Sequence, residues 1–435
     1  SQLKINILKM LKNSLYNRMS WILIALYAVC TSAAYSSELQ SFFFNVSADS
    51  TGNVLLVDKA RQTLLVLTSN DPGTIQVLGT FRITTGKIDG DKAKEGDQKT
   101  PEGIYDIINS IPGSQLTDKY GPIAFVLNYP NLIDKIQNHN GSNIWIHGRD
   151  EEIVDRQTDG CISLENGKLL ELNEIIQLQN TPVIIIDSLY HNGNSAYPQK
   201  FSMTDSLFQN WLSNWERGNM ERYTQYYSPH FKSQSKRNLS QHISIKKQIE
   251  HLYNWKKVTA SQIWILQSDH ETHISFLQEY LCPKFFSRGN KKLILLWSDS
   301  TWKIVSETFS ASEPRIFATP AIQKFLKSWV DSWEIANIEQ FISYYDSSFS
   351  ASEYNTLEDW RRYKKGVFSR AKQIDVQISN IKITSPAEYR WSVSFRQNYR
   401  SENYRDHGTK TLLITGHLKD PATLKILSET WVASE

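Results

Sequence analysis

The sequence predicts a multidomain protein in which a mainly-β domain is followed by two related α+β domains. Its 435 residues are enough for two to four domains, each large enough to bury a core. Aromatic residues make up 12% of the chain and charged residues 21%, proportions typical of folded domains. Two of the 13 tryptophans precede residue 200 and eleven follow it, which divides the chain into two parts of different composition.

A leader precedes the part of the chain that is predicted to fold. It carries four basic residues and no acidic one, then a mostly apolar run from Met19 to Cys30, then small residues at 32–34. This pattern predicts a secretory signal peptide over residues 1–34 and export to the periplasm or cell envelope. An uncleaved anchor is the alternative, although a bilayer span needs about 20 apolar residues. The basic residues are Lys4, Lys9, Lys12 and Arg18.

The charge of the chain excludes one large class of function. The whole sequence has a formal net charge of +3, but residues 35–435 contain 44 basic and 45 acidic residues. A nucleic-acid-binding protein needs a basic surplus that displaces the counterions of the phosphates. We therefore expect no nucleic-acid partner.

Residues 50–188 are predicted to form the mainly-β domain. Short runs of β-branched and apolar residues alternate there with Gly, Asn, Asp and Pro, as in strands separated by turns. Leucines and isoleucines at helical spacing predict one helix over Asn166–Gln179. The charged segment Gly86–Thr100 is interpreted as a solvated loop, with ligand binding as the alternative. The predicted strands include Val54–Val57, Thr63–Leu67, Ile75–Leu78, Ile123–Leu127, Ile144–Ile146 and Val183–Ile186.

The second half of the chain repeats itself at an offset of 118 residues. Each copy spans about 110 residues and begins with an amphipathic helix whose aromatic residues recur four positions apart. We assign the copies to residues 205–310 and 322–435, and we assign residues 189–204 and 311–321 to linkers. The matched residues are Trp211, Trp215, Glu216, Asn219, Tyr226, Tyr227 and Phe231 in the first copy and Trp329, Trp333, Glu334, Asn337, Tyr344, Tyr345 and Phe349 in the second.

The opening of each copy, Trp-x3-Trp followed by Tyr-Tyr-x3-Phe, resembles the nuclear transport factor two-like superfamily. The resemblance implies a cone-shaped α+β domain in which a curved antiparallel sheet wraps a helix and encloses a pocket. We interpret the repeated aromatic residues as core rather than as ligand contacts. Because this superfamily includes both enzymes and binding modules, the fold leaves open a dimer partner or a wall-attached protein as the ligand of these domains.

The residues that carry chemistry lie between positions 143 and 164. His147 ends a predicted strand, and Cys161 follows 14 residues later, directly after Gly160. An imidazole can take the proton of a thiol and leave a nucleophilic thiolate. Glycine before the cysteine permits a tight turn, and backbone N–H groups at such a turn can hold an oxyanion. The alternative is a buried structural cysteine beside an unrelated core histidine.

The context of these two residues resembles the L,D-transpeptidase catalytic domain, also called the YkuD domain. The family motif is His-Gly, followed after a loop by Ser/Thr-His-Gly-Cys and an apolar residue. The resemblance implies a mainly-β catalytic sandwich over residues 50–188. Besides His147-Gly148 and Thr158–Ile162, the fitting segments are Asn53–Asp58, Gln62–Val66, Thr84–Lys87, Thr100–Tyr105 and Asn128–Asn131 with Asp134, the last of which resembles the YafK-like branch.

The resemblance also implies a role for each matched residue. Cys161 would be the nucleophile and His147 the general base, with its ring oriented by the backbone carbonyl of Gly148. The backbone amides of Gly160 and Cys161 would form the oxyanion hole. No cofactor is implied, and the histidines show no metal-ligand spacing, so we expect no metal.

One position departs from the family motif. Asp159 stands where the family has its second histidine, and a carboxylate beside a thiol opposes thiolate formation. Arg149 and Arg156 are near in sequence and are predicted either to offset this charge or to bind a carboxylate of the substrate. Thr158 and Asp159, which lie close to Cys161 in the motif, are further candidate substrate contacts. The alternative is that these residues are solvated loop charges.

Three functions follow from this resemblance. The first is an L,D-transpeptidase that attacks the diaminopimelate–D-Ala bond of peptidoglycan stem peptides and passes the acyl group to an amine. The second is an L,D-carboxypeptidase in which water takes the place of the amine, as in the cell-shape-determining branch that carries such accessory domains. The third is a catalytically weak wall-binding scaffold.

Because Cys161 and Cys282 fall in different predicted domains, we expect two free thiols.

Overall fold

The computed structural model describes residues 43–45, 52–71, 74–189, 197–351 and 353–434. The predicted signal peptide lies outside these residues. Among the helices within the described ranges, none has the length and apolarity that crossing a bilayer requires.

The predicted mainly-β domain contains an eight-stranded sheet and two short helices. We call residues 52–189 the β domain. Strand β5 is long enough to pair with β9 through its first four residues and with β6 through the rest, so it joins the two halves of the sheet. The strand order is β4-β3-β2-β9-β5-β6-β7-β8. After β1 (Phe43–Asn45), the elements are β2 (Asn53–Asp58), β3 (Thr63–Asp71), β4 (Thr74–Arg82), β5 (Gly103–Pro112), β6 (Ile123–Leu127), α1 (Leu132–Ile136), β7 (Trp145–Arg149), β8 (Ile162–Glu165), α2 (Asn166–Asn173) and β9 (Pro182–Ile186).

The apolar runs of this domain exist because both faces of its central strands are buried. On β2, Leu55 and Val57 point into the core of the β domain. Val54 and Leu56 point to the other face, where they join a second apolar cluster that includes Leu266 of the following domain. A strand buried on both faces has no polar alternation, which is why the sequence shows continuous apolar runs.

The two copies in the second half fold alike, so the prediction of two α+β domains is confirmed. We call them the first and second repeat domains. In each, a sheet of long antiparallel strands packs against a long opening helix, and one strand pairs in parallel. The first contains α3 (Tyr197–Glu216), α4 (Met220–Gln225), β10 (Tyr227–Ser233), α5 (Leu239–Leu252), β11 (Lys257–Gln267), β12 (Glu271–Leu281), β13 (Phe285–Ser298), β14 (Thr301–Ala311) and β15 (Ile316–Phe317). The second contains α6 (Ala318–Glu334), α7 (Ile338–Ser343), β16 (Tyr345–Ala351), α8 (Leu357–Arg370), β17 (Asp375–Ala387), β18 (Arg390–Arg400), β19 (Arg405–His417) and β20 (Asp420–Ala433).

The repeated aromatic residues form the core of each repeat domain, as the sequence predicts. Trp211 is fully buried, and its indole N–H donates to the hydroxyl of Tyr227 at 3.1 Å. In the second repeat domain Trp329 donates to Tyr345 at the same distance. The two tyrosine hydroxyls in turn donate to buried carboxylates, those of Glu307 and Glu429, and Lys291 and Lys410 neutralise these carboxylates.

Three element boundaries differ from those expected. Helix α2 ends at Asn173 instead of Gln179, because the chain turns there while Ile175 and Ile176 still pack on the core. Helices α3 and α6 begin at Tyr197 and Ala318, inside the ranges 189–204 and 311–321 that we assigned to linkers. Each begins with a proline in its first turn, where proline is compatible with a helix, so these prolines are not linker residues.

One strand pairing has no counterpart in the sequence prediction. Strand β1 pairs antiparallel with β11, with Phe43 opposite Leu266 and Asn45 opposite Trp264. This pairing covers the edge strand of the first repeat domain with a segment that precedes the β domain in the chain. The segment therefore ties the two domains together.

Candidate active site

Two adjacent parallel strands bring His147 and Cys161 to the same place. His147 lies on β7, and Cys161 immediately precedes β8. The register pairs Ile146 with Ile162, so residue 161 comes level with Trp145, two positions from His147 on β7. Residues two apart on a strand share a face, which places the thiol and the imidazole on the same side of the sheet.

The ring of His147 is held in one orientation by its own strand. Its Nδ1 lies 2.8 Å from the carbonyl oxygen of Gly148, so Nδ1 carries the proton and donates it. This is the hydrogen bond that the family resemblance implies. The rings of Tyr120 and His147 are nearly perpendicular, and their centroids lie 5.0 Å apart. The remaining nitrogen, Nε2, is therefore the one able to accept a proton.

The environment of His147 favours its neutral form. The residue is 7% exposed. Burial lowers the pKa of His147 below its ordinary value, and the positive charges of Arg149 and Lys119 lower it further, while the hydrogen bond to Gly148 opposes this. At neutral pH the imidazole is thus uncharged and available as a base.

Both glycines of the motif are required by close approaches. Gly160 has a φ of +132°, and a Cβ added there would lie 2.8 Å from the carbonyl oxygen of Lys99. A Cβ on Gly148 would overlap the side chain of Asn166. Only glycine therefore lets the chain turn into Cys161 and lets β7 pass beside α2.

Cys161 is half-buried and protonated at neutral pH. Its thiol donates to the carbonyl oxygen of Asn143 at 3.4 Å. Burial raises the pKa of the Cys161 thiol, and the carboxylate of Asp159 raises it further, whereas a hydrogen bond from the backbone of Trp145 and the charge of Lys119 lower it. A thiol of raised pKa needs a base in order to react, and the neutral imidazole of His147 lies on the same face of the sheet.

We expect the alkylation of Cys161 by iodoacetamide to accelerate continuously as the pH is raised from 6 to 9.5. The physical reason is that only the thiolate reacts, and the raised pKa of Cys161 keeps most of the thiol protonated at neutral pH. The measurement is the rate of adduct formation by peptide mass spectrometry. Cys282, which is fully buried, is the internal control and should react more slowly at every pH. A rate for Cys161 that is already constant below pH 7 would contradict this assignment.

The turn before Cys161 uses one of the two predicted oxyanion-hole amides. The N–H of Gly160 donates to the hydroxyl of Thr158 at 3.2 Å, and that hydroxyl donates to the carbonyl oxygen of Cys161 at 2.6 Å. Thr158 therefore holds the turn together, and its predicted contact with the substrate stays a prediction. Because the Gly160 amide is engaged in the same turn, we expect the amide of Cys161 to be the one available to an oxyanion.

Asp159 is offset by residues other than the two arginines that we predicted. Its exposed carboxylate accepts hydrogen bonds from Lys87 at 2.7 Å and from Gln98 at 3.1 Å. These bonds and the charge of Lys87 lower the pKa of Asp159. The arginines are paired elsewhere, because Arg149 contacts Glu151 and Arg156 contacts Asp89. Neither arginine is paired with Asp159, and a contact between either arginine and a carboxylate of the substrate stays a prediction.

The segment 86–100 lies beside the turn that precedes Cys161. Most of it is exposed or partly exposed, as expected of a solvated loop, and the backbone N–H of Lys87 donates to the carbonyl of Thr158 at 2.9 Å. Lys87 is the last residue of the Thr84–Lys87 segment that the sequence marked, but the sequence did not indicate that Lys87 pairs with Asp159. Lys119 and Tyr120, which border His147, lie in the short 3-10 helix Asp118–Tyr120 and gave no signal in the sequence.

Replacing Asp159 by Asn should increase the reactivity of Cys161. The carboxylate raises the pKa of the thiol, so its neutral substitute should speed alkylation at pH 7.5 by about two- to threefold, a small effect because the carboxylate is exposed and screened. Lys87→Ala should act in the opposite direction. The rates are compared at low and high salt, and equal rates for all three proteins at low salt would disprove the coupling.

A thiol behind a glycine turn, with a neutral, carbonyl-oriented imidazole on the neighbouring strand, defines the class of Cys–His sites that carry out acyl transfer. The family comparison agrees with this class. The model of the L,D-transpeptidase catalytic domain (YkuD) matches residues 52–185, and the model of the Cds6 C-terminal NTF2-like domain matches residues 203–308 and 321–430. The chain belongs to the L,D-transpeptidase (YkuD) family and carries two NTF2-like domains of the Cds6 type.

Two solved structures are similar over almost their whole length. Bd1075 from Bdellovibrio bacteriovorus is 30% identical, with a TM-score of 0.56, and the match covers 98% of that chain and 63% of this one. The helical cell shape determining protein Pgp2 from Campylobacter jejuni is 30% identical, with a TM-score of 0.48, over 93% of that chain and 61% of this one. A comparison with curated protein sequences gave no significant match.

Proposed function

We propose that this protein is an exported, peptidoglycan-modifying cysteine enzyme that attacks the L,D bond of stem tetrapeptides, between diaminopimelate and D-Ala. The observation that carries this proposal is the placement of Cys161, behind a glycine turn, on the same face as the neutral, oriented imidazole of His147. Membership of the L,D-transpeptidase family supplies the bond that is attacked.

In the first half-reaction, Cys161 and His147 account for every bond that changes and for the proton that moves. Nε2 of His147 takes the thiol proton while the sulfur of Cys161 forms a bond to the carbonyl carbon of diaminopimelate. The oxyanion is held by the amide of Cys161, and the imidazolium returns its proton to the nitrogen of D-Ala as the C–N bond breaks. The products are free D-Ala and a thioester on Cys161.

The second half-reaction decides between two versions of the function. An amine that attacks the thioester gives a 3–3 crosslink or an attached wall protein, which is an L,D-transpeptidase reaction. Water gives a tripeptide, which is an L,D-carboxypeptidase reaction. The arrangement of a YkuD domain followed by NTF2-like domains resembles that of the cell-shape-determining L,D-carboxypeptidases, and this resemblance supports the version with water.

A catalytically weak wall-binding scaffold is the third version. It is motivated by the carboxylate of Asp159 beside the thiol and by the short loop between His147 and Cys161. Lys87 pairs with that carboxylate and Gln98 donates a hydrogen bond to it, which weakens the effect of its charge on the thiol and supports the enzymatic versions.

The experiment is product analysis with disaccharide-tetrapeptide as substrate. We expect wild-type protein to release D-Ala, with tripeptide as the sole product of the hydrolytic version and a 3–3 dimer as the product of the transpeptidase version. The Cys161→Ala variant is the control. Intact tetrapeptide after incubation with wild-type protein would contradict both enzymatic versions and leave the scaffold.

Export is the second part of the proposal. The leader of residues 1–34 supports it, and cleavage after Ala34 would make Tyr35 the first residue of the mature protein. N-terminal sequencing of the protein recovered from the cell envelope tests this directly. An intact leader on envelope-bound protein would favour the uncleaved anchor.

A further inference from the structure

A buried carboxylate of the first repeat domain, that of Glu271, reaches across the interface with the β domain. Glu271 begins β12 of the first repeat domain and is 1% exposed. It accepts hydrogen bonds from the backbone N–H of Ile104 and, at 3.2 Å, from the side chain of Asn131, both in the β domain. Leu266 and Trp264 of the first repeat domain pack beside it against the outer face of the β-domain sheet.

The first of these bonds leads to the turn that carries the nucleophile. Ile104 lies four residues after Thr100 on a continuous stretch of chain. The hydroxyl of Thr100 donates to the carbonyl oxygen of Gly160 at 2.9 Å, in the buried interior. Glu271 therefore anchors one end of the segment 100–104 at Ile104. The other end, Thr100, holds Gly160, which directly precedes Cys161.

The second bond leads to the wall of the site on the other side of the thiol. Asn131 caps α1: its side chain accepts from the N–H of Asp134 at 3.0 Å, and the Asp134 carboxylate accepts from the N–H of Asn131 at 2.8 Å. Helix α1 is followed by the segment that ends at Asn143, and the carbonyl oxygen of Asn143 accepts a hydrogen bond from the thiol of Cys161. The amide group of Asn131 thus connects the repeat domain to the hydrogen-bond partner of the nucleophile.

The β domain leaves room for this carboxylate. Gly103 has a φ of +149°, and a Cβ added there would lie 2.5 Å from Oε1 of Glu271. Burial raises the pKa of Glu271 to about 7, so the group spends much of its time uncharged near neutral pH. The contact depends on two accepted hydrogen bonds, and it does not need a full negative charge.

We propose that Glu271 is a positioning residue for the proposed reaction: from the first repeat domain it fixes, through Ile104 and Asn131, the two segments that flank Cys161. The repeat domain is then part of the catalytic architecture and not only an attached module. This inference rests on the proposed function for its kinetic readout, but the reactivity of Cys161 tests it without any peptidoglycan substrate.

Three substitutions of Glu271 separate hydrogen bonding from charge. In Glu271→Gln, the amide oxygen can accept from Ile104 and Asn131 while the amide nitrogen donates to Nε2 of His273, which lies 3.1 Å from the present carboxylate. Glu271→Asp keeps the charge but is one methylene shorter and cannot reach both donors. Glu271→Ala removes the contact. Lys292→Ala, which breaks a partly exposed ion pair with Asp106 across the same interface, is the matched control.

We expect kcat for D-Ala release to fall about tenfold or more in the Asp and Ala variants, since small displacements at a catalytic site are costly, with KM changed less than twofold. The Gln variant and Lys292→Ala should retain kcat within about twofold. The rate of Cys161 alkylation should change in the Asp and Ala variants alone. If the alanine variant fails to fold, the Asp and Gln pair decides.

Two outcomes would overturn the inference. One is wild-type kcat and Cys161 alkylation in Glu271→Asp. The other is a Gln variant as impaired as the Asp variant, which would mean that the charge or simple packing is what matters. If wild-type protein releases no D-Ala, the proposed reaction fails, yet the alkylation rates of the same variants still report whether Glu271 positions Cys161.

Discussion

Cys161→Ala is expected to reduce the release of D-Ala from disaccharide-tetrapeptide by about 10⁴-fold or more, because removing the nucleophile leaves only binding and the oxyanion-hole amide. The measurement is D-Ala release under single-turnover conditions. Substrate affinity should change little, since the hydrogen bond that the thiol donates goes to the protein's own carbonyl at Asn143.

Cys161→Ser and Cys282→Ala are the controls for this result. Serine preserves the size of the side chain but is a poor nucleophile without a stronger base, so it should be nearly as inactive as alanine. Cys282→Ala removes a thiol from the core of the first repeat domain, where it can affect stability but not chemistry. Comparable turnover in Cys161→Ala and wild-type protein would remove Cys161 from the mechanism.

His147→Ala is expected to reduce kcat by about 10²- to 10⁴-fold, the usual range for loss of a general base. It should also change the pH profile. In wild-type protein kcat/KM falls on the acid side as His147 becomes protonated, with a midpoint below 6.5 because burial lowers the pKa of His147. In the variant this limb should disappear, and the residual rate should rise with pH as the Cys161 thiolate forms.

His251→Ala is the matched control for the loss of an imidazole. Its Nδ1 also contacts a backbone carbonyl, that of Lys247 at 2.7 Å, but it is exposed on α5 and far along the chain from the site. This variant should keep the wild-type pH profile. An unchanged acid limb in His147→Ala would show that another group is the base.

The parts of the fold that the sequence predicted are those determined by local pattern. Short apolar runs bounded by turn residues marked the strands of the β domain, and the repeated Trp-x3-Trp marked two domains whose tryptophans Trp211 and Trp329 are both fully buried. The helix boundaries at Tyr197 and Ala318 were missed because proline is common both in linkers and in the first turn of a helix.

The catalytic pair was also within reach of the sequence, because His147-Gly148 and Gly160-Cys161 are short motifs at the ends of strands. The partners of these residues were not. Lys87 meets Asp159 across 72 positions, and Glu271 meets Ile104 across 167. Contacts of this kind depend on how the sheet and the domains pack, and no local spacing encodes them.

The two arginines show that closeness in sequence did not predict the charge partner of Asp159. Arg149 and Arg156 are close to Asp159 in sequence, and this closeness was the only basis for pairing them with it. In the folded chain they turn to Glu151 and Asp89, while the lysine that does compensate Asp159 arrives from the loop 86–100. Proximity along the chain is a weak guide to charge pairing outside helices.

The central claim is that Cys161 forms a thioester with the acyl part of the stem peptide. The most direct measurement is acid-quenched incubation of wild-type protein with disaccharide-tetrapeptide, followed by peptide mapping. We predict that the peptide containing Cys161 gains the mass of the muropeptide without its D-Ala, and that this adduct is absent in His147→Ala at early times. D-Ala release by wild-type protein with no adduct on Cys161 at any time, or with an adduct on Cys282, would contradict the claim.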